Sequence, residues 1–201
     1  GIYNFDLIKW PVKYTSVKPD GVKFVPLGFE KEMTPKEILS EHPKGKEFGV
    51  ILKDFKTYPL LMDSLGNVLS MPPIINSNYV GRINTSSKNL FVEVTGTNHE
   101  TVNQTLNFVT SALAERGGKV YSVKIDAPNK NFGVTPNFSR SVMSFSPSYA
   151  ENLLGLKLTP VLLKKLLKKM DYEILSVDIK KDAVKVKCPF YRNDIMHQVD
   201  I

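Results

Sequence analysis

Alternating and helical spacings of apolar residues take turns along this chain, without a regular strand–helix–strand repeat. Residues 22–25 alternate as a short strand. Thr34-Pro35-Lys36-Glu37 has the marks of a helix start: Thr as N-cap, Pro at the first helical position and Glu three residues after the cap. Pro43 must stop that helix soon after Ile38 and Leu39, and residues 48–52 suit a second short helix. Residues 58–62 and 67–71 flank Asp63-Ser64-Leu65-Gly66, which predicts a hairpin. Residues 90–95 alternate again, which puts Phe91, Glu93 and Thr95 on one strand face. Thr97-Asn98-His99-Glu100 is a second capping box. It opens a helix with Val102, Leu106, Val109 and Leu113 on one face, and Gly117-Gly118 ends it. A strand over 120–125 follows.

The stretch 126–140 is rich in Asn, Pro and Gly and has no apolar period. It predicts a linker at 127–138, between a first domain over 1–126 and a second over 139–201. In the second part, 141–145 suits a strand. Ser146-Pro147 starts a helix that Gly155 ends after Leu154, and Thr159-Pro160 starts another. That helix turns Leu163, Leu166, Leu167 and Met170 one way and Lys164, Lys165, Lys168 and Lys169 the other. Strands over 172–177 and 183–188 follow. A last helix, capped by Asn193 or Asp194, is expected to be cut off at Ile201. The order helix–helix–strand–strand resembles a winged helix-turn-helix. The whole predicts an α+β fold: a mixed-sheet domain followed by a small winged-helix-like α/β domain.

Composition narrows the class. The 201 residues are 42% hydrophobic and 23% charged, which is ordinary for a core-forming protein. No apolar run approaches the roughly 18 residues of a membrane-spanning helix, so no membrane role is expected. The single cysteine, Cys188, cannot form an internal disulfide or a cysteine-based zinc site, which points to a reducing cytoplasm. The net charge of +7 suits either a polyanionic partner such as RNA or simply a lysine-rich surface.

Few catalytic constellations are available. His42, His99 and His197 lack metal-ligand spacing, and no metal site is expected. The isolated glycines form no phosphate loop, and no nucleophile elbow occurs. The most distinctive stretch is 70–82, SMPPIINSNYVGR. Pro72 and Pro73 fix extended backbone, and small polar residues follow, a combination suited to a pocket wall. From Ser70 to Thr97 the only acid is Glu93. It lies either in a cavity beside Thr95 or on a solvated face, and spacing alone leaves both open.

SMPPIINSNYVGRI (70–83), NLFVEVTGT (89–97) and CPFYRNDIMHQVDI (188–201) together resemble the β subunit of archaeal and eukaryotic-type phenylalanyl-tRNA synthetase. The resemblance extends over essentially the whole chain. It implies a tRNA-editing domain over about 1–126, beginning before Gly1, and a further module after Ile201. It implies hydrolysis of tyrosine mischarged onto the phenylalanine tRNA, with no cofactor in this stretch. ATP and Mg2+ are expected to serve the whole enzyme through the α subunit, in an α2β2 heterotetramer. The family's pocket positions fall on Leu61, Ser70, Asn76, Glu93 and Thr95. Leu61 and Pro73 are expected as apolar wall. Glu93 is expected to accept from the tyrosine hydroxyl or pair with the α-ammonium. Ser70, Asn76 and Thr95 are expected to bind the carbonyl or hold the water, and Gly96 and Thr97 to shape the pocket through backbone donors. Many family members carry Asp at the Glu93 position. The rival expectation is a non-catalytic module for RNA binding or subunit assembly.

Overall fold

The computed structural model describes residues 1–127 and 130–201. It has an α+β fold and divides into two compact units, Gly1–Thr97 and Asn98–Ile201. The division falls well before residue 126, where the sequence placed the end of the first domain.

The first unit contains, in chain order, β1 (Ile2–Asn4), β2 (Lys13–Val17), α1 (Pro35–Glu41), α2 (Pro43–Phe48), β3 (Tyr58–Met62), β4 (Val68–Met71), β5 (Ile75–Asn76), α3 (Asn78–Gly81) and β6 (Leu90–Val92). β2, β3, β4 and β5 form one antiparallel sheet in that order, while β1 pairs separately with β6. The predicted capping box at Thr34 forms in full: Glu37 N donates to Thr34 Oγ1, and the Glu37 carboxylate accepts from Thr34 N. Pro43 ends α1 and opens α2 at once, since proline suits a first helical turn. His42 caps α2 through Nδ1, which accepts from Lys44 N. Residues 22–25 make only an isolated bridge, Phe24 with Met33, in place of a strand.

Two cores lie in this unit. One gathers Phe24, Met33, Ile38, Leu52, Tyr58, Leu60, Val68, Met71 and Ile74. The other gathers Tyr3, Ile8, Leu61, Leu69 and Val80. Leu60 and Leu61 are consecutive, so β3 sends alternate side chains into different cores. The hairpin is fixed at its tip by Asp63, whose Oδ1 accepts from Leu65 N and Asn67 N and whose Oδ2 accepts from Lys9 N and Asn67 Nδ2.

The second unit contains α4 (His99–Glu115), β7 (Val123–Ala127), β8 (Lys130–Thr135), β9 (Val142–Phe145), α5 (Pro147–Leu154), α6 (Pro160–Lys169), β10 (Glu173–Asp178) and β11 (Ala183–Lys187). β7 and β8 form an antiparallel pair, and the other three strands form a sheet in the order β10-β11-β9. Much of the stretch expected as linker is therefore β8: Asn, Pro and Gly mark where a chain can turn but say nothing about pairing of the flanks. α4 is capped by Asn98, whose side chain accepts from Thr101 N. Its predicted apolar face is only half-buried, and Asn107 and Thr110 are the buried residues. Thr110 Oγ1 donates to Leu106 O and Asn107 Nδ2 to Asn137 O, while Asn107 Oδ1 is buried with no partner among the described residues.

Ser146 and Thr159 cap α5 and α6 as expected, and Gly155 ends α5 in the left-handed conformation. The core here holds Phe145, Leu158, Leu163, Leu167, Tyr172, Val184, Val186 and Cys188. The final helix expected from 193 onward is absent. Arg192 forks onto the Asp194 carboxylate, and Asp200 accepts from Met196 N and His197 N, so only a short 3-10 turn, Gln198–Asp200, forms. No helix among the described residues is long and apolar enough to cross a membrane.

Candidate functional site

Three of the residues singled out by sequence stand in one row. Leu61 on β3 lies opposite Ser70 on β4, and Ser70 lies opposite Asn76 on β5. Directly opposed residues in an antiparallel sheet point to the same face with Cβ atoms about 5 Å apart. Tyr14 on β2 extends the row beyond Leu61. Leu61 and Ser70 are buried, Asn76 is half-buried and Tyr14 is exposed.

Glu93 joins this row through a residue that sequence reasoning missed. Tyr3 is fully buried, and its Oη lies 2.8 Å from Ser70 Oγ and 3.0 Å from Glu93 Oε2. A phenol has one proton to give. The carboxylate can only accept, so Tyr3 donates to Glu93 and the Ser70 hydroxyl turns its own proton to Tyr3 Oη. Burial first, then the Glu93 charge, holds the Tyr3 phenol far above its ordinary range, so it remains a donor at any working pH. The other Glu93 oxygen, Oε1, is buried, and no donor among the described residues meets it. No local signal in Ile2-Tyr3-Asn4 marks this role; it arises from pairing across 90 residues of sequence separation.

The backbone explains why Tyr3 and Glu93 meet. Tyr3 pairs with Phe91, and two residues along Gly1 and Glu93 exchange both backbone hydrogen bonds at 2.8 and 2.9 Å. Phe91 and Glu93 therefore share a face with Tyr3, as the alternation predicted. The ladder packs closely: a Cβ on Gly1 would lie 2.2 Å from Tyr3 Oη and 2.7 Å from Glu93 Oε2. Phe91 stacks on Tyr3 with centroids 5.9 Å apart and meets Trp10 edge-on at 5.3 Å.

Other expected site residues are placed differently. Pro73 is exposed in the turn between β4 and β5, whereas Pro72 is buried. Strand pairing stops just past β6, and Thr95, Gly96 and Thr97 are exposed beyond it. Among the described residues, no side-chain hydrogen bond ties Thr95 or Thr97 to the row. The Ser70 hydroxyl is buried and engaged by Tyr3 Oη. No group of three or more His, Cys, Asp or Glu that could hold a metal occurs among the described residues.

Known proteins resemble this chain. Residues 143–201, which lie in the second unit, match the model of the tRNA synthetase B5 domain. Over its full length the chain is 47% identical to the phenylalanine–tRNA ligase β subunit of Pyrococcus horikoshii and 46% identical to that of Pyrococcus furiosus. It spans 35% of the length of each. A crystal structure of an N-terminal fragment of the Pyrococcus horikoshii phenylalanyl-tRNA synthetase β subunit superimposes with a TM-score of 0.92 at 45% identity. That match covers 100% of this chain and 56% of the other. Over its whole length the chain is thus similar to one stretch of phenylalanine–tRNA ligase β subunits.

Proposed function

We propose that the first unit carries an editing site that hydrolyses tyrosine wrongly esterified to the phenylalanine tRNA. The observation that supports this reading most is the Leu61–Ser70–Asn76 row with Glu93 tied to it through Tyr3. Four positions matched from the family, distant in sequence, meet in one place. Phenylalanine and tyrosine differ by one hydroxyl. A site with a buried acceptor for that hydroxyl favours the tyrosyl ester strongly, because a phenylalanyl ester leaves the acceptor unpaired.

In this reading Leu61 packs against the substrate ring and Glu93 accepts from its phenol. Asn76 is half-buried at the end of the row and offers an amide to the ester carbonyl. Thr95, exposed beside Glu93 in sequence, orients the attacking water. Water adds to the ester carbonyl, the tetrahedral oxyanion collapses, and the ribose oxygen of the tRNA leaves with a proton. The ester is already activated, so positioning and oxyanion stabilisation supply the catalysis. The substrate tRNA and an α-subunit partner, in an α2β2 assembly, belong to the same proposal. ATP and Mg2+ would serve aminoacylation through the α subunit, and no residue of this chain is assigned to them.

Deacylation of tyrosyl-tRNA(Phe) by the complete enzyme tests the assignment. Glu93→Ala and Thr95→Ala should each slow it, on the order of 10- to 100-fold for loss of one charged or well-aligned hydrogen bond. Unchanged hydrolysis in both variants defeats it. A second, compatible role in RNA or subunit binding is favoured for the B5 unit by the exposed Lys164, Lys165, Lys168 and Lys169 on α6.

A further inference from the structure

Glu93 has two carboxylate oxygens in unequal circumstances. Oε2 is held by the Tyr3 hydroxyl at 3.0 Å and lies 3.5 Å from the Gly1 amino nitrogen, whereas Oε1 is buried with no donor among the described residues. A buried carboxylate oxygen lacking a donor is costly, and its retention needs a reason. Tyr3 itself has little freedom. Its ring is fully buried and stacked on Phe91, its backbone is locked in the β1–β6 pair, and its hydroxyl is bracketed by Ser70 and Glu93.

We infer that Tyr3 is a positioning residue for substrate selection: by fixing Oε2 it leaves Oε1 as the one open acceptor, to be met by the phenolic hydroxyl of a tyrosyl ester. The inference rests on the editing reading above and adds to it a residue and a geometry. The directed chain Ser70→Tyr3→Glu93 sets which oxygen is free and keeps the carboxylate from swinging to satisfy Oε1 elsewhere. A phenylalanyl ester would leave Oε1 unpaired. The substrate ammonium is the other donor that could reach Oε1, but it is common to both esters and would give no discrimination.

The test uses the complete enzyme and compares deacylation of tyrosyl-tRNA(Phe) and phenylalanyl-tRNA(Phe). Tyr3→Phe keeps the ring and deletes the hydroxyl. It should lower kcat/KM for the tyrosyl ester roughly 10- to 100-fold, mainly by raising KM, and leave the phenylalanyl ester nearly unchanged. Phe91→Leu loosens the packing of Tyr3 but keeps its hydroxyl; it should lower the melting temperature yet preserve the preference. Equal losses on both esters in Tyr3→Phe overturn the inference, as does an unchanged preference. A loss of preference in Phe91→Leu matching that of Tyr3→Phe also overturns it, because packing would then be the cause. If the unmutated enzyme fails to hydrolyse the tyrosyl ester, the editing reading itself falls. If it hydrolyses that ester and Tyr3→Phe keeps its preference, only the role of Tyr3 falls.

Discussion

Gly81, at the end of α3, approaches Asn76 so closely that a Cβ placed on it would lie 2.6 Å from the Asn76 Cβ. No real pair of carbons tolerates that distance, so the glycine is what lets α3 sit against β5. Gly81→Ala should push Asn76 out of the cross-strand row. The expected cost is about 1–3 kcal/mol in stability, as for other overpacked sites, with a clear drop in tyrosyl-tRNA deacylation. Thermal melting and the deacylation rate, measured on the same preparation, check both. A variant with normal stability and normal rate would show that α3 yields without disturbing Asn76.

Asp63 ties the first unit to pH. Burial works to raise its carboxyl pKa, but the hydrogen bonds from Asn67, Lys9 and Leu65 outweigh burial and hold it below the ordinary range. A carboxyl depressed in the folded state adds stability above its unfolded pKa of about 3.9, and that stability is lost as pH falls through the folded value. The first unit should therefore weaken below about pH 4. Asp63→Asn should cost roughly 1–3 kcal/mol at neutral pH and flatten the acid limb of a melting-temperature profile. An unaltered acid limb would remove Asp63 as its source.

Each unit carries a native reporter. Trp10, the single tryptophan, lies in the first, and Cys188, the single cysteine, is fully buried in the core of the second. Leu163→Ala should cost about 2–5 kcal/mol in that second core. Thiol labelling of Cys188 should then begin at lower denaturant while the Trp10 fluorescence midpoint stays in place. A matched shift in both signals would mean that the two cores open together.

The lysines of α6 should act by charge alone. Replacing Lys164, Lys165 and Lys168 with Glu should weaken tRNA binding and flatten its salt dependence, by about one unit of slope for each phosphate that is no longer neutralised. Hydrolysis of tRNA already bound should be unaffected. Equal affinity across a salt series would assign this face to solvent.

Local chemistry was the legible part of the sequence. Thr34, Ser146 and Thr159 cap helices because both partners of each bond lie within three residues, and Gly155 stops α5 for an equally local reason. The hairpin at Asp63 was legible too. What escaped were pairings made across distance. β1 is three residues long and carries no usable period, so its pairing with β6 and the Tyr3–Glu93 bond could not be foreseen. Motif matching names Thr95, and the rigid 70–82 stretch suggests Pro73; such readings give position in sequence but not exposure, and both residues are exposed. The missing last helix failed for a similar reason: Asp194 has the composition of a cap, but Arg192 claims it first.

The double-sided burial of β3 and β4 bears on how recognition in this family can change. Every residue of β4 is buried and those of β3 are buried or half-buried, with different cores served by neighbouring side chains. Such strands have no neutral side on which substitutions can drift, so Leu61 and Ser70 are held in place by folding quite apart from any use. Room for variation lies past Val94, where the chain becomes exposed from Thr95. Glu93 is held as well, because its backbone pairs with Gly1 and its Oε2 accepts from the buried Tyr3 hydroxyl, so a side chain one carbon shorter would draw the carboxylate away from that hydroxyl. Family members that bear a different acid there are the natural experiments in which substrate preference should be found to shift.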